Sequence, residues 1–391
     1  VVIASAPHFR QNPGNLGVDI DRIEKLRAPW TRKAFESAYR SINKTSLTPL
    51  SWHTSLAFPL DKNNGKPKCH GLRLIHLLDC QGKAFFAKTH RLERTGHCDT
   101  GFLPNRRREF STLTQMIAAW RFRALGRSFV LLNFDLANAF GSTSWQTLDS
   151  IMESSMFDPC KPKDVEFGKQ RHRWSAVRVP SSEDTSGAGI EDRLLVRPKV
   201  GALMGDPQAV HSFLRSFREP VDNWNKDQRH VLEELGGNGA ADAFACHVKD
   251  PATGELVDAS LTKFADDLVK IVIGPSDVPF ASGFGGGGAD KLELLMRRTE
   301  ACSASLSKHI APAGYKQNSD KLVGIVGLNG AGAHLALRNL KAGTSAPSFL
   351  VVEATRSLGP VISAKSDFRL ERGKRIQAIY SARLTLGKTI T

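Results

Sequence analysis

Apolar positions in this chain recur with two different spacings, and the spacing changes from block to block. Two short apolar runs, Leu56 to Leu60 and Leu72 to Leu78, flank the polar stretch Asp61 to Lys68; the pattern predicts two strands joined by a turn. Weak helical periodicity over 21–42 is interrupted on paper by Pro29. From Glu109 to Leu125 the residues Phe110, Leu113, Met116, Ile117 and Trp120 fall at helical spacing, and Gly126 supplies a stop. Arg106, Arg107 and Arg108 stand where that helix begins, a poor place for cations because the helix N-terminus is already positive. Such a cluster serves either a phosphate or a screened surface.

The next block, Ser128 to Phe134, is apolar apart from Ser128 and Asn133 and reads as a buried strand ending at Asp135. A helix is predicted over about 142–155, with Trp145, Leu148, Ile151 and Met152 on one face. Residues 157–200 are polar, with strand-like pieces at Trp174 to Val179 and Arg193 to Val196. Gly205-Asp206-Pro207 then opens a helix: Asp is favoured as N-cap and Pro as first helical residue. Its stripe is Val210, Phe213, Leu214, Phe217, Val221 and Trp224. A glycine-rich linker at 283–290 precedes a helix over about 289–310. Strands are expected at Lys321 to Val326 and Phe349 to Ala354, and a basic helix at 367–386. Alternating strands and helices with polar insertions predict an α+β fold.

With 391 residues, 41% of them hydrophobic, the chain can bury a sizeable core in more than one subdomain. Its net charge of +15 points to a polyanionic partner, nucleic acid being the commonest, or to a solvated basic surface. Six scattered cysteines without a CxxC pair argue against a disulfide scaffold and a standard zinc site. Cys69-His70 and His97-Cys98 read as unconnected residues rather than ligands. No apolar run approaches the ~18 residues a membrane helix requires. The expectation is an intracellular protein of nucleus or cytoplasm, not secreted, with no membrane partner. A start at Val1 rather than Met suggests a piece of a longer polypeptide.

The chemistry concentrates in carboxylates. In LTKFADDLVKIVIG, residues 261–274, Asp266 and Asp267 interrupt what is otherwise a buried strand. If the two halves form a hairpin, the acidic pair sits at its tip, although the tip lacks the usual Asn-Gly signature. A strand ending in Asp135 beside that hairpin would bring three carboxylates together. Like charges that close repel. A divalent cation resolves the conflict, and hard oxygen donors suit Mg²⁺. Two such ions ~3.5–4 Å apart support nucleotidyl transfer.

The series of motifs resembles the reverse transcriptase domain of the non-LTR retrotransposon and group II intron type. Phe264-Ala265-Asp266-Asp267 resembles the family's Tyr/Phe-x-Asp-Asp box, and Phe134 to Phe140 its first palm box. Gly205-Asp206-Pro207 is similar to the middle box, Gly314 to Lys321 to the next, and Ser357-Leu358-Gly359 to the primer grip. Lys62 and Leu72 to Ile75 resemble the fingers strands, and Gly101-Phe102 with the three arginines the box before the palm. The matches are in family order and cover roughly 55–385.

The resemblance implies a right-hand polymerase with a ferredoxin-like (split βαβ) palm. An N-terminal extension would occupy 1–54, fingers 55–127, and palm 128–340 with a fingers insertion at about 157–200. The primer grip and a truncated thumb would occupy 341–391. It further implies that Asp135, Asp266 and Asp267, with the Leu136 carbonyl, bind two Mg²⁺ ions (Mn²⁺ being an alternative), and that Lys321 is a proton donor. Lys62, Arg73, Phe140, Met204 and Gly205 would contact the dNTP, with RNA template and DNA primer as partners. Met204 departs from the family's Gln, and a thioether cannot replace an amide's hydrogen bonds. Two other readings stay open: a decayed, nucleic-acid-binding relative without catalysis, and an RNA-templated RNA polymerase, against which Phe140 argues.

Overall fold

The computed structural model describes residues 29–62, 71–87, 100–101, 106–154, 161–179, 194–235, 246–249, 254–274, 287–343, 347–358, 360–365 and 369–389. Phe102, Gly359, the glycine run before Gly287, and the pairs Cys69-His70 and His97-Cys98 lie outside them. The chain is mixed α+β with several sheets and divides into two compact units, Val1–Arg94 with Asn138–Glu219, and Thr95–Ala137 with Pro220–Thr391.

The second unit is built on a five-stranded sheet. Its strand order is Leu350–Val352, Val323–Gly327, Phe129–Phe134, Asp267–Ile273, Leu261–Phe264. All neighbours are antiparallel except the parallel pair at the Leu350–Val352 edge. The central strand is apolar at almost every position because both of its faces are covered. On one face Phe129 and Leu131, with Val269, Ile271 and Ile273, meet Met116, Ala119 and Phe122. On the other, Phe134 packs edge-on against Trp224, whose indole N–H donates to the Cys302 carbonyl. Each fully buried aliphatic side chain here contributes roughly 1.5–3 kcal/mol.

The helix expected over Glu109–Leu125 runs Arg108–Ala124 and turns a different face inward from its apolar stripe. Ser111, Thr112, Gln115, Met116, Ala119 and Phe122 are buried, while Phe110 and Trp120 are 52% and 63% exposed. The reason is local: small residues let the helix approach the sheet, and the Gln115 side-chain amide donates to Thr262 Oγ1 at 2.9 Å. The apolar spacing identified the helix but not the side that packs.

The first unit holds a four-stranded sheet, ordered Leu72–Leu78, Thr54–Asp61, Ala176–Val179, Leu194–Val196. The expected hairpin is there, in register from Ser55 opposite Leu78 to Asp61 opposite Leu72. Beside it Tyr39, Trp52, Phe85, Phe86 and Phe167 form an aromatic core. Pro29 is the first residue of the helix Pro29–Thr45, as suits a residue with no N–H to satisfy; the part of the expected periodicity before it lies outside the described residues.

Within the stretch read as polar, Pro162–Arg173 is a helix that the apolar period did not reveal. Its signals are electrostatic: Pro162 in the first turn, Asp164 near the positive end, and Arg171, His172 and Arg173 near the negative end. The strand expected over 349–354 is instead two short strands, Leu350–Val352 and Ala354–Arg356, in different sheets. Ala354–Arg356 pairs with Val361–Ser363 across a turn containing Ser357 and Leu358. Among the described residues no helix is long and apolar enough to cross a membrane.

Candidate active site

Strand register brings the carboxylates together. Phe134 pairs with Leu268, so one step further Asp135 stands opposite Asp267. On its other side the strand pairing ends at Asn133 opposite Val323, and Lys321 closes the one-turn helix Ser319–Lys321 just before that strand. Asp267 and Asp135 therefore stand side by side at two adjacent strand ends, and residues so paired project from the same face of a sheet.

Asp266 belongs to the tip of the hairpin between Leu261–Phe264 and Asp267–Ile273, closed by the pair Phe264 and Asp267. The loop is Ala265-Asp266, and Ala265 takes a positive φ of 57° that an alanine adopts only at a cost. Neighbouring backbone over-determines the turn. The Thr100 N–H donates to the Lys263 carbonyl at 2.8 Å. At Gly101 a Cβ would stand 2.4 Å from the Ala265 nitrogen, so only glycine lets that segment lie against the tip.

The loop 316–321 clamps Asp135 from the other side. The Asn318 N–H donates to the Asp135 carbonyl at 2.9 Å, and the Ala137 N–H to the Lys316 carbonyl at 2.8 Å. These bonds flank the bridge between Leu136 and Gln317, so the Leu136 carbonyl points away from this ladder. At the carboxylate, Asn318 Nδ2 donates to Oδ2 at 2.9 Å, and Lys321 Nζ lies 3.0 Å from the same oxygen. Asn318 is a site residue that motif reading passed over; only its place directly before Ser-Asp-Lys hinted at it.

The strand ends open into a cleft of about 160 Å³, lined among others by Asn133, Asp135, Asp267, Lys321, Arg356 and Ser357. The Ser357-Leu358 turn thus stands beside the carboxylates. Burial first, then the charges of Asp266 and Asp135, push the Asp267 carboxyl up to about 6 against the pull of Lys321.

No family model matches the chain, and no curated protein does. Solved structures resemble it, three structures of one telomerase among them. Apo telomerase from Candida tropicalis, truncated from the C-terminal domain, aligns at TM-score 0.44 and 11% identity, over 83% of this chain and 57% of that one. Apo telomerase from the same organism gives 0.45 and 12%, over 86% and 53%. Its complex with a TWJ fragment of telomeric RNA gives 0.45 and 13%, over 85% and 47%. The chain spans about half the length of these structures. A likeness at this level assigns no activity.

The remaining expected residues belong to the first unit. Lys62 extends the hairpin, its N–H donating to the Gly71 carbonyl at 2.8 Å. Arg73 pairs with Leu60, so Lys62 and Arg73 project from the same face of neighbouring strands. Both are exposed. The Met204 carbonyl accepts the His76 N–H at 2.8 Å, and Gly205 (φ 109°) lies so close that a Cβ would meet the His76 oxygen at 2.6 Å. Half-buried Phe140 packs on Phe213, ring centroids 4.9 Å apart.

The donors at the strand ends fit a hard divalent cation in kind: all are carboxylate or carbonyl oxygens. They do not stand as a ready-made cage. Among the described residues no group of three or more His, Cys, Asp or Glu side chains is close enough to hold a metal as it stands.

Proposed function

We propose that this chain is the RNA-directed DNA polymerase domain of a mobile retroelement, a right-hand polymerase with fingers, palm and the start of a thumb. The observation that carries the reading is the pairing of Asp267 with Asp135 at the end of a sheet buried on both faces, beside the Asp266 turn, with Lys321 3.0 Å from Asp135. Asp135, Asp266 and Asp267, with the Leu136 carbonyl, would hold two Mg²⁺ ions. Bound there, the metal supplies charge stabilisation for attack of a primer 3′-hydroxyl on the α-phosphate of a dNTP.

This chain's own residues do the rest. Lys321, within reach of the site and 64% exposed at its side chain, donates a proton toward the leaving pyrophosphate. Lys62 and Arg73 grip the triphosphate from one face of their hairpin, the lysine as a point charge and the arginine as a planar fork. Phe140, held by Phe213, is the aromatic that excludes a ribose 2′-hydroxyl. Met204 and Gly205 meet the nucleotide through backbone rather than through an amide side chain. RNA template and DNA primer run over the basic surface implied by the net charge.

Two features favour a second reading, a decayed nucleic-acid-binding relative: the Lys321 contact with Asp135 and the methionine at 204. Primer extension on an RNA template with Mg²⁺ and dNTPs separates them. Extension that disappears in Asp266→Ala supports the polymerase. Salt-sensitive nucleic-acid binding without extension in Mg²⁺ or Mn²⁺ supports the decayed relative. Incorporation of rNTPs as readily as dNTPs would replace both with an RNA polymerase.

A further inference from the structure

The Asp135 carboxylate is divided between its two oxygens. Oδ2 accepts from Asn318 Nδ2 at 2.9 Å and lies 3.0 Å from Lys321 Nζ, whereas Oδ1 has no hydrogen-bond partner among the described residues. The second torsion of an aspartate is soft and roughly two-fold, so nothing intrinsic to Asp135 decides which oxygen faces the cleft. Lys321 is poorly suited to decide it: a flexible, exposed cation can follow the carboxylate through a rotation. Asn318 is different. Its backbone N–H already donates to the Asp135 carbonyl at 2.9 Å, so its Cα is fixed relative to Asp135. A short amide side chain from a fixed Cα reaches one oxygen in one orientation.

We propose that Asn318 is the positioning residue of the site: it commits Oδ2 of Asp135 to the 318–321 loop and thereby presents Oδ1 to a divalent cation. The inference rests on the polymerase reading of the site, which it deepens. An outer partner that orients a ligating carboxylate typically changes metal affinity by about 10–100-fold when removed. The main-chain bond from residue 318 survives any side chain other than proline, so substitution removes the orienting amide and leaves the loop tied to Asp135.

The test uses the whole chain and Mn²⁺ alone, titrated by electron paramagnetic resonance without nucleotide or primer. Asn318→Ala and the similarly sized Asn318→Leu are compared with wild type and with Asp135→Asn. Both variants at position 318 are expected to bind Mn²⁺ about 10–100-fold more weakly at unchanged melting temperature. In primer extension their kcat should fall, recover in part at high Mn²⁺, and leave the KM for dNTP near the wild-type value. Wild-type Mn²⁺ affinity in both variants, with binding lost in Asp135→Asn, would overturn the role of Asn318 and leave the polymerase reading intact. Loss of binding that tracks loss of fold would make Asn318 a structural residue and also overturn it. No Mn²⁺ binding and no extension by wild type would remove the polymerase reading and this inference with it.

Discussion

Two aspartates at the heads of their motifs meet opposite fates. Asp206, in the first unit, is buried and fully answered. Arg171 Nε lies 2.7 Å from its Oδ2, the Gln208 N–H donates to its Oδ1 at 3.0 Å, and both side chains are only 6% exposed. The same guanidinium donates to the Trp52 carbonyl and lies over the Phe86 ring at 4.9 Å. Asp135, in the second unit, shares one oxygen between an amide and an exposed lysine and stands beside Asp267 at the edge of a cleft. A buried carboxylate with a partner on each oxygen holds a fold together. A carboxylate with one oxygen turned to a cleft can take a cation from outside. Asp258 belongs with Asp206: burial would raise its carboxyl, but Lys270 beside it, with Ser260 and Asn225, draws it down to about 2.

The largest expected effect breaks the structural side of this contrast. Arg171→Met strands the Asp206 charge in the interior and should cost about 3–5 kcal/mol in urea unfolding. A loss below ~1 kcal/mol would mean that water reaches the pair and the contrast is false. Next, Asp135→Asn should lower primer extension by about 10²–10³-fold while leaving the unfolding midpoint unchanged or slightly higher. Full extension by that variant would show that the pair is not catalytic.

Acid sharpens the comparison further. Burial first, then the Arg171 charge, hold His53 down to about 3 against the pull of Asp206, and burial and Arg171 hold His76 at about 4. Both imidazoles are neutral in the fold, whereas unfolded histidine takes a proton near 6.5. The unfolded chain therefore binds more protons below pH 6.5, and stability falls as pH drops from 6.5 toward about 3. His53 alone should remove about 2 kcal/mol by pH 5, a slope that His53→Gln flattens. An unchanged slope in the variant would move the effect elsewhere. Smallest, Asp267→Asn should raise thermal stability in chelator by about 1 kcal/mol after allowance for solvent screening, because it removes one of three repelling charges. Destabilisation instead would mean that Asp267 is a structural carboxylate like Asp206.

Much of this architecture was legible from residue order. The alternation around Leu56–Leu60 and Leu72–Leu78 specified a hairpin, and Asp206-Pro207 specified a helix start, since caps and periods act within a few residues. The helix Pro162–Arg173 escaped because it buries little besides Phe167, Gln170 and Arg171, and its signals are charges at its ends. The buried face of Arg108–Ala124 escaped because packing favoured small residues near the sheet over large ones elsewhere on the helix. At the site, the three aspartates and Lys321 could be singled out in the sequence, but Asn318 could not, because its importance lies in the geometry it reaches.

By itself the sequence determined where most strands and helices begin, that Asp266 and Asp267 interrupt an apolar run, and that Asp135 ends an apolar strand. These follow from side-chain period, backbone preference and capping, which need only near neighbours. Tertiary structure alone decided that Asp135 stands between Asp267 and Lys321, that Asn318 holds one oxygen of it, and that Arg171 rather than solvent answers Asp206. Those outcomes depend on strand register and on contacts between residues 35 to 183 positions apart, where one slipped residue would turn each side chain to the opposite face.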